Sequence, residues 1–350
     1  MKLGSLFDGS GGFPLAGALS GIRPVWAAEV EPYPIAVTRS RFPMMQHLGS
    51  VTEVHGDKVQ PVDVITFGSP CQDLSQIGTR NGFAGKKSSL FYQAMRIIEE
   101  MRYATNGRYP AFTVWENVAG AFSSNDRLDF AAMLRAFTGA EVSVPPRGWA
   151  HAGMVRGGRA DTAWRLLDAQ YWGEPALAQR RKRVFVVADF AGQRAGEVLF
   201  KPRTVLPFST ISGPGGLSAT QRGGVPAAQT GRQVPIVRPF SLRRMRTMAQ
   251  VGDQKGFCAS FGRGGEPFPT LLASVTAPFS FWYEGEERDG FLRVLTPLEC
   301  ERLMGLPENW TKYGCKNEEI SDHARYRALG NSIALPCAEY VMAGIAEVMN

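Results

Sequence analysis

An apolar run that stops abruptly constrains this chain more than any other feature. Val62 to Phe67 is apolar except for Asp63, and Gly68-Ser69-Pro70 ends it at once. A short run of this kind bounded by turn formers reads as a buried strand. Cys71 follows, inside Thr66-Phe67-Gly68-Ser69-Pro70-Cys71-Gln72-Asp73-Leu74-Ser75. In a parallel sheet, ligands bind in the loops that leave the carboxyl ends of the strands. A thiol there faces a ligand, unless it is one of the many free cysteines that are simply buried. Gly78, Gly82 and Gly85 come next and predict a loop able to close over what it binds.

The surrounding chain has the alternation such a sheet needs. Lys2 to Phe7, Pro24 to Val30 and Ala111 to Glu116 read as further strands. Ser89 to Tyr103 spaces Leu90, Ala94, Ile97, Ile98 and Met101 as a helix would, and Asn125 to Phe137 is similar. Strands alternating with helices predict a doubly wound α/β domain with right-handed crossovers. Trp164 to Trp172 and Arg183 to Phe190 predict a hairpin-like pair closing the sheet.

The character changes near residue 191. Residues 191 to 280 hold thirteen Gly and nine Pro, together with core-forming aromatics such as Phe200, Phe208, Phe257 and Phe268. This predicts a small, irregular, mostly β domain. The same segment has eleven Lys or Arg against three acids, a net of +8, while the whole chain carries +7. A basic excess confined to one segment is what a polyanion-facing surface shows. Order returns with Thr296-Pro297-Leu298-Glu299, a helix start with Thr as cap, burying Leu298, Leu303 and Met304. Ala334 to Met349 predicts a final, strongly apolar helix that packs back on the first domain. The expected division is therefore 1–190 plus 321–350 for one domain and 191–320 for the other.

Several classes are excluded. No apolar run approaches the roughly 20 residues that span a bilayer, and the N-terminus lacks the pattern of a secretory signal. The five Cys are scattered, with no C-x-x-C pair, so neither zinc, nor another metal, nor a disulfide framework is expected. A reducing cytoplasm fits that usage.

Four other stretches carry chemistry. Phe7-Asp8-Gly9-Ser10-Gly11-Gly12-Phe13 directly follows a strand, and its glycines allow close approach of backbone to a cofactor. Pro14 stands where a dinucleotide fingerprint needs its third glycine, which argues against a nicotinamide oxidoreductase. Glu29 ends the second strand about twenty residues on, placed to accept hydrogen bonds from ribose hydroxyls. Trp115-Glu116-Asn117-Val118 ends another strand. Gln179-Arg180-Arg181-Lys182-Arg183 alternates Arg181 and Arg183, which would share one face if extended.

Together these stretches resemble, in order, the DNA cytosine-5 methyltransferase family of bacterial or phage type. Pro70-Cys71-Gln72 is similar to its catalytic loop, the glycine stretch to its F-x-G-x-G-G cofactor loop, and Glu116-Asn117-Val118 to its E-N-V triplet. Gln179 to Arg183 matches its Q-R-R-x-R motif, and Gly330-Asn331-Ser332 its G-N-S at the cofactor. Pro269-Thr270-Leu271 looks like its P-T-L element, and Arg293 to Gly305 like the motif preceding the last. The resemblance implies a Rossmann-like, class I S-adenosylmethionine-dependent methyltransferase domain with a smaller, mostly β target-recognition domain. Phe7, Gly9, Gly11, Gly12, Glu29, Ser50, Val51, Pro70, Asn331 and Ser332 would hold S-adenosylmethionine and its product S-adenosylhomocysteine. Ser50 stands where the family usually has an Asp for the adenine amino group.

The same resemblance makes Cys71 the nucleophile that adds to carbon 6 of a flipped-out cytosine, so that carbon 5 can be methylated. Glu116 would bind ring nitrogen 3 and the exocyclic amine. Arg181 and Arg183 would hold the base carbonyl and a neighbouring phosphate. Gln72, Ser75, Arg243, Arg244, Arg263 and Thr270 are candidates for contacting double-stranded DNA. A companion restriction endonuclease belongs to the same picture, and a monomer is the default. Methylation of RNA, and DNA binding without catalysis, are the competing readings.

Overall fold

The structure, a computed structural model, describes residues 1–69, 90–201, 236–239, 267–268, 270–273, 279–283 and 291–350. Pro70, Cys71, Gln72, Ser75, Arg243, Arg244 and Arg263 lie outside the described residues, as does the predicted closing loop.

The described chain is built on an eight-stranded sheet. Its strands are β1 (Lys2–Leu6), β2 (Arg23–Ala28), β3 (Gln46–His47), β4 (Val64–Phe67), β5 (Phe112–Val118), β6 (Ala152–Arg156), β7 (Asp161–Asp168) and β8 (Lys182–Asp189). Their spatial order is β3-β2-β1-β4-β5-β8-β7-β6. The first five are parallel. β8 runs antiparallel to β5 and to β7, and β6 is antiparallel to β7. The expected hairpin-like pair is thus real, although β7 ends at Asp168 and a single 3-10 turn takes Ala169–Tyr171. β6 adds an edge that hydropathy did not show, because Ala152 to Arg156 alternates between exposed and half-buried and never enters the core.

Period-two alternation gives the sheet two apolar faces. Leu3, Val64, Phe112, Val114, Phe185 and Val187 join one core cluster. Leu6, Ile65, Phe67, Trp115, Val184 and Val186 join the other. Helices cover both faces. On the second face lies α3 (Leu90–Ala104), after α1 (Gly12–Leu19) and α2 (Pro32–Arg41) in the chain. It buries Phe91, Ala94, Ile97, Ile98 and Met101 at helical spacing. α4 (Leu128–Thr138) joins it there through Phe130, Leu134 and Phe137.

The first face is covered by α1, α5 (Ala195–Leu199), α6 (Pro297–Met304), α7 (Asp322–Asn331) and α8 (Leu335–Met349). Thr296 caps α6 in a full capping box with Glu299, as its sequence predicts. Leu303 and Met304 are buried with Cys300, while Leu298 is only half-buried. A second set of strands, β9 (Ile236–Pro239), β10 (Phe279–Tyr283) and β11 (Phe291–Val294), forms an antiparallel sheet ordered β11-β10-β9.

The core of the large sheet also draws on residues between 191 and 320. Ala195, Val198, Phe268, Leu271, Leu295, Cys300, Trp310 and Ile320 all sit in the cluster that contains Leu3 and Phe13. Glycine and proline content marks irregular backbone but not the surface it packs on. Phe268 is a particular correction: it serves the core of the large sheet.

Glu301 fastens the end of this covering layer. Its side chain is fully buried and meets Arg325 Nη2 at 3.0 Å. It also accepts the backbone N–H groups of Asn309 at 2.8 Å and Thr311 at 2.9 Å. Glu301→Ala removes the buried partner of Arg325 Nη2, leaving that guanidinium only Asp322 and Thr311, and strands two backbone donors; it is expected to cost about 3–5 kcal/mol. Urea unfolding of the variant checks this; a loss below about 1 kcal/mol would show the network to be incidental.

Candidate active site

The chain reverses its direction of travel across the sheet between β1 and β4, and that is where a crevice opens at the carboxyl ends of the strands. A cavity of about 660 Å³ lies there. Its walls include Phe7 and Gly9 after β1, Glu29 to Glu31 after β2, and Gly49 to Val51. Gly68 and Ser69 after β4, Glu116 to Val118 of β5, and Arg181 and Arg183 complete them, with His323, Arg327, Gly330 and Asn331 of α7.

The acid of β2 is built into this wall. Glu29 accepts the N–H of Gly9 at 2.7 Å with one oxygen, and those of Val30 and Glu31 at 2.8 and 3.0 Å with the other. It thereby fixes the loop after β1 against the loop after β2. Phe7 holds a left-handed backbone with φ 54°, a conformation costly for a residue with a side chain. Ser50 reaches the wall, but its hydroxyl pairs with that of Thr52 at 2.7 Å.

Gly11 and Gly12 differ from expectation. They are not among the residues facing the cavity. Gly11, with φ 82°, caps α1. A Cβ on Gly12 would sit 2.4 Å from Ile333 Cγ2. Gly12 lets the chain at Ile333 pack against the first loop, while a Cβ on Gly11 would sit 2.9 Å from Thr38 Cγ2 of α2. Ser332 is likewise buried, with Asn331 exposed to the cavity beside it.

Another corner of the cavity is formed by β4, β5 and β8. Ser69 accepts Trp115 Nε1 at 3.1 Å through its hydroxyl and Asn117 Nδ2 at 3.1 Å through its carbonyl. This clamps the chain immediately ahead of Pro70 to the strand carrying Glu116. Val118 pairs with Arg183 in register, so β8 brings Arg183 beside Glu116. Arg183 Nε lies 2.9 Å from Glu116 Oε1, with both side chains about 15% exposed. Burial pushes the Glu116 carboxyl above its ordinary range, against the opposing pull of Arg183 and Arg181. A carboxyl held this way can keep a proton and donate it.

Arg181 also differs from expectation. It is 2% exposed, and burial lowers its pKa from the ordinary arginine value. Nη1 donates to Leu271 O at 3.0 Å; Nη2 donates to Gly330 O at 3.0 Å and to Ser332 O. Those amino groups are committed to the main chain, and of the two arginines it is Arg183 that pairs with Glu116. Thr270, a candidate DNA contact, donates its hydroxyl to Arg180 O at 2.7 Å.

Sequence reading missed Asp8, which sits within the glycine loop. It is 8% exposed, and among the described residues neither carboxylate oxygen has a hydrogen-bond partner. It also missed the ion pair between Arg327 and Glu31, 3.0 Å apart on the cavity wall. The pair is separated by almost the whole chain, and no local pattern announces it.

Burial pushes the Asp8 carboxyl from 3.8 up to about 8. The folded state therefore binds a proton that the unfolded chain releases, and stability falls as pH rises between those two values. Asp8→Asn, which cannot ionise, is expected to gain melting temperature relative to wild type on going from about pH 5 to about pH 8. Thermal melts of both proteins across that range check it; a constant gap would remove Asp8 as the titrating group.

Comparison with known proteins follows this geometry. The sequence model of the family described as C-5 cytosine-specific DNA methylase matches residues 1–202 and 243–347. The interval it skips falls inside the basic, glycine-rich segment. An Escherichia phage P1 protein described as a DNA N-6-adenine-methyltransferase is 25% identical over 97% of this chain, which spans 60% of that relative's length. The Bacillus subtilis (strain 168) Type II methyltransferase M2.BsuMI is 25% identical over 99% of this chain and 76% of its own. Among solved structures, the S. pombe Dnmt2 methyltransferase superposes with a TM-score of 0.61 at 14% identity, covering 100% of this chain and 99% of that one. That likeness establishes the fold.

Proposed function

The chain belongs to the C-5 cytosine-specific DNA methylase family, and from that membership we propose how its own residues methylate DNA. The enzyme class is DNA cytosine methyltransferase, and the family uses S-adenosylmethionine. In this reading the substrate is duplex DNA with one cytosine flipped out of the stack, at a cost of roughly a few kcal/mol. The observation that carries it is the Glu116–Arg183 pair at 2.9 Å, on the wall of the switch-point cavity and one strand from Ser69.

The cavity suits the cofactor. Glu29 presents an ordered carboxylate to ribose hydroxyls, and Phe7, Val51, Ser50, Gly9 and Asn331 line the remaining wall. When bound, S-adenosylmethionine supplies an electrophilic methyl group. Glu116 holds a proton for ring nitrogen 3 of cytosine and so makes carbon 6 easier to attack. Arg183 fixes the orientation of Glu116. The Cys71 thiolate bonds carbon 6, which loads electron density onto carbon 5. Once carbon 5 carries the methyl, its hydrogen leaves as a proton, the carbon–sulfur bond breaks and the thiolate is regenerated.

We place the recognition region between 202 and 294, narrower than the sequence division, since its flanks pack on the large sheet. The net positive charge of this part of the chain suits phosphate binding, with affinity that falls as salt rises. A companion endonuclease and cytoplasmic action on DNA belong to the same proposal.

The test is transfer of labelled methyl from S-adenosylmethionine to mixed-sequence duplex DNA. Wild type is expected to label cytosine carbon 5, and Cys71→Ser to label nothing. Glu116→Gln is expected to lower the rate about 10²–10⁴-fold. Label on the adenine amino group, or on transfer RNA but not DNA, would replace the reading. Tight DNA binding with no transfer would reduce the protein to a binder.

A further inference from the structure

We propose that Arg181 is a positioning residue that joins the DNA-recognition segment to the cofactor loop, so that bound DNA tightens the cofactor site. The inference rests on the function proposed above, and it assigns Arg181 a task other than contact with the base.

Two segments distant in sequence meet on this one guanidinium. Leu271 lies within the basic, glycine-rich segment, and its carbonyl takes Nη1 at 3.0 Å. Gly330 lies in the last turn of α7 and Ser332 caps that helix, beside the cofactor cavity, and their carbonyls take Nη2. The backbone N–H of Arg181 donates to Asp168 Oδ1 at 3.0 Å, which anchors the hub to β7. A guanidinium offers donors in a fixed planar fork, so the positions of its acceptors are tied to one another.

The two segments also touch directly. A Cβ on Gly330 would lie 2.2 Å from Leu272 O and 2.3 Å from Ala273 N. Only a residue without a side chain lets these backbones meet. The same stretch is stitched to the start of β8. Phe268 N donates to Ala178 O at 2.7 Å, Arg180 N to Phe268 O at 2.6 Å, and Thr270 Oγ1 to Arg180 O at 2.7 Å. A shift of residues 268–273 on DNA therefore moves Gly330 to Ser332 unless these bonds break. Asn331, between them, faces the cavity.

The measurement is binding of S-adenosylhomocysteine to the full chain, with and without the duplex that accepts label in the transfer assay. Wild type is expected to bind it about tenfold tighter with DNA, within the usual range of coupling between sites. Arg181→Lys, whose ammonium cannot span the three carbonyls, and Gly330→Ala, which wedges the joint open, are each expected to bring that ratio near one. A merely structural role would weaken binding equally in both conditions and leave the ratio unchanged. Hydrogen exchange on wild type gives a second reading that needs no variant: DNA alone is expected to slow the amides of residues 328–333. Full coupling in folded Arg181→Lys, or unchanged exchange in wild type, overturns the inference. If wild type methylates cytosine yet shows no coupling, this inference fails alone; absence of methylation fails the function itself.

Discussion

A guanidinium taken almost wholly out of water has to be surrounded by acceptors, because an unpaired buried charge is too costly to persist. Arg181 meets that demand at both terminal amino groups, with main-chain carbonyls from two other parts of the chain, while its Nε has no partner among the described residues. Satisfying it draws Gly330 and Leu271 close to the start of β8. Backbone pairing sets β8 antiparallel between β5 and β7. That placement of β8 is what brings Arg183 to Glu116.

The sheet provides the rest of the arrangement. Five parallel strands direct their carboxyl ends to one edge, and the reversal between β1 and β4 leaves room there for a ligand. Glu29 and Glu116 stand on two of the strand ends, with opposite consequences. Glu29 is half-buried and tied to three backbone donors, which hold its carboxylate in one place. Glu116 is more enclosed, and burial raises its pKa in spite of its arginine partner. Two carboxylates of the same chemistry are thereby set to different work, one as a fixed acceptor and one as a proton holder. The fold and the family membership together make this an S-adenosylmethionine-dependent methyltransferase domain of class I type.

Parts of this were legible in the residues themselves. The strand at Val64–Phe67, the helix at Leu90–Ala104 and the capping box at Thr296 depend on neighbours within a few positions, and local pattern found each. β6 was hidden because it borders the sheet and buries little. α7 was hidden because its sequence, Asp322–Asn331, is polar on balance and has no long apolar stripe. Composition did not show that Phe268, Leu295 and Trp310 pack in the core of the large sheet, because glycine and proline content says nothing of what a side chain touches.

The sequence by itself determined the chemical inventory: a cysteine after a strand, an acid at the end of another, a pair of alternating arginines and a glycine loop. Residue type and spacing are local quantities, and reactivity of that kind is written in them. Only the tertiary structure decided how the inventory is divided. It turned one arginine toward Glu116 and buried the other among carbonyls, withdrew Gly11 and Gly12 from the cavity, and closed Arg327 on Glu31. Those outcomes depend on which distant segments share a cavity wall and which are shut away from water, and burial of that kind is a property of the packed chain.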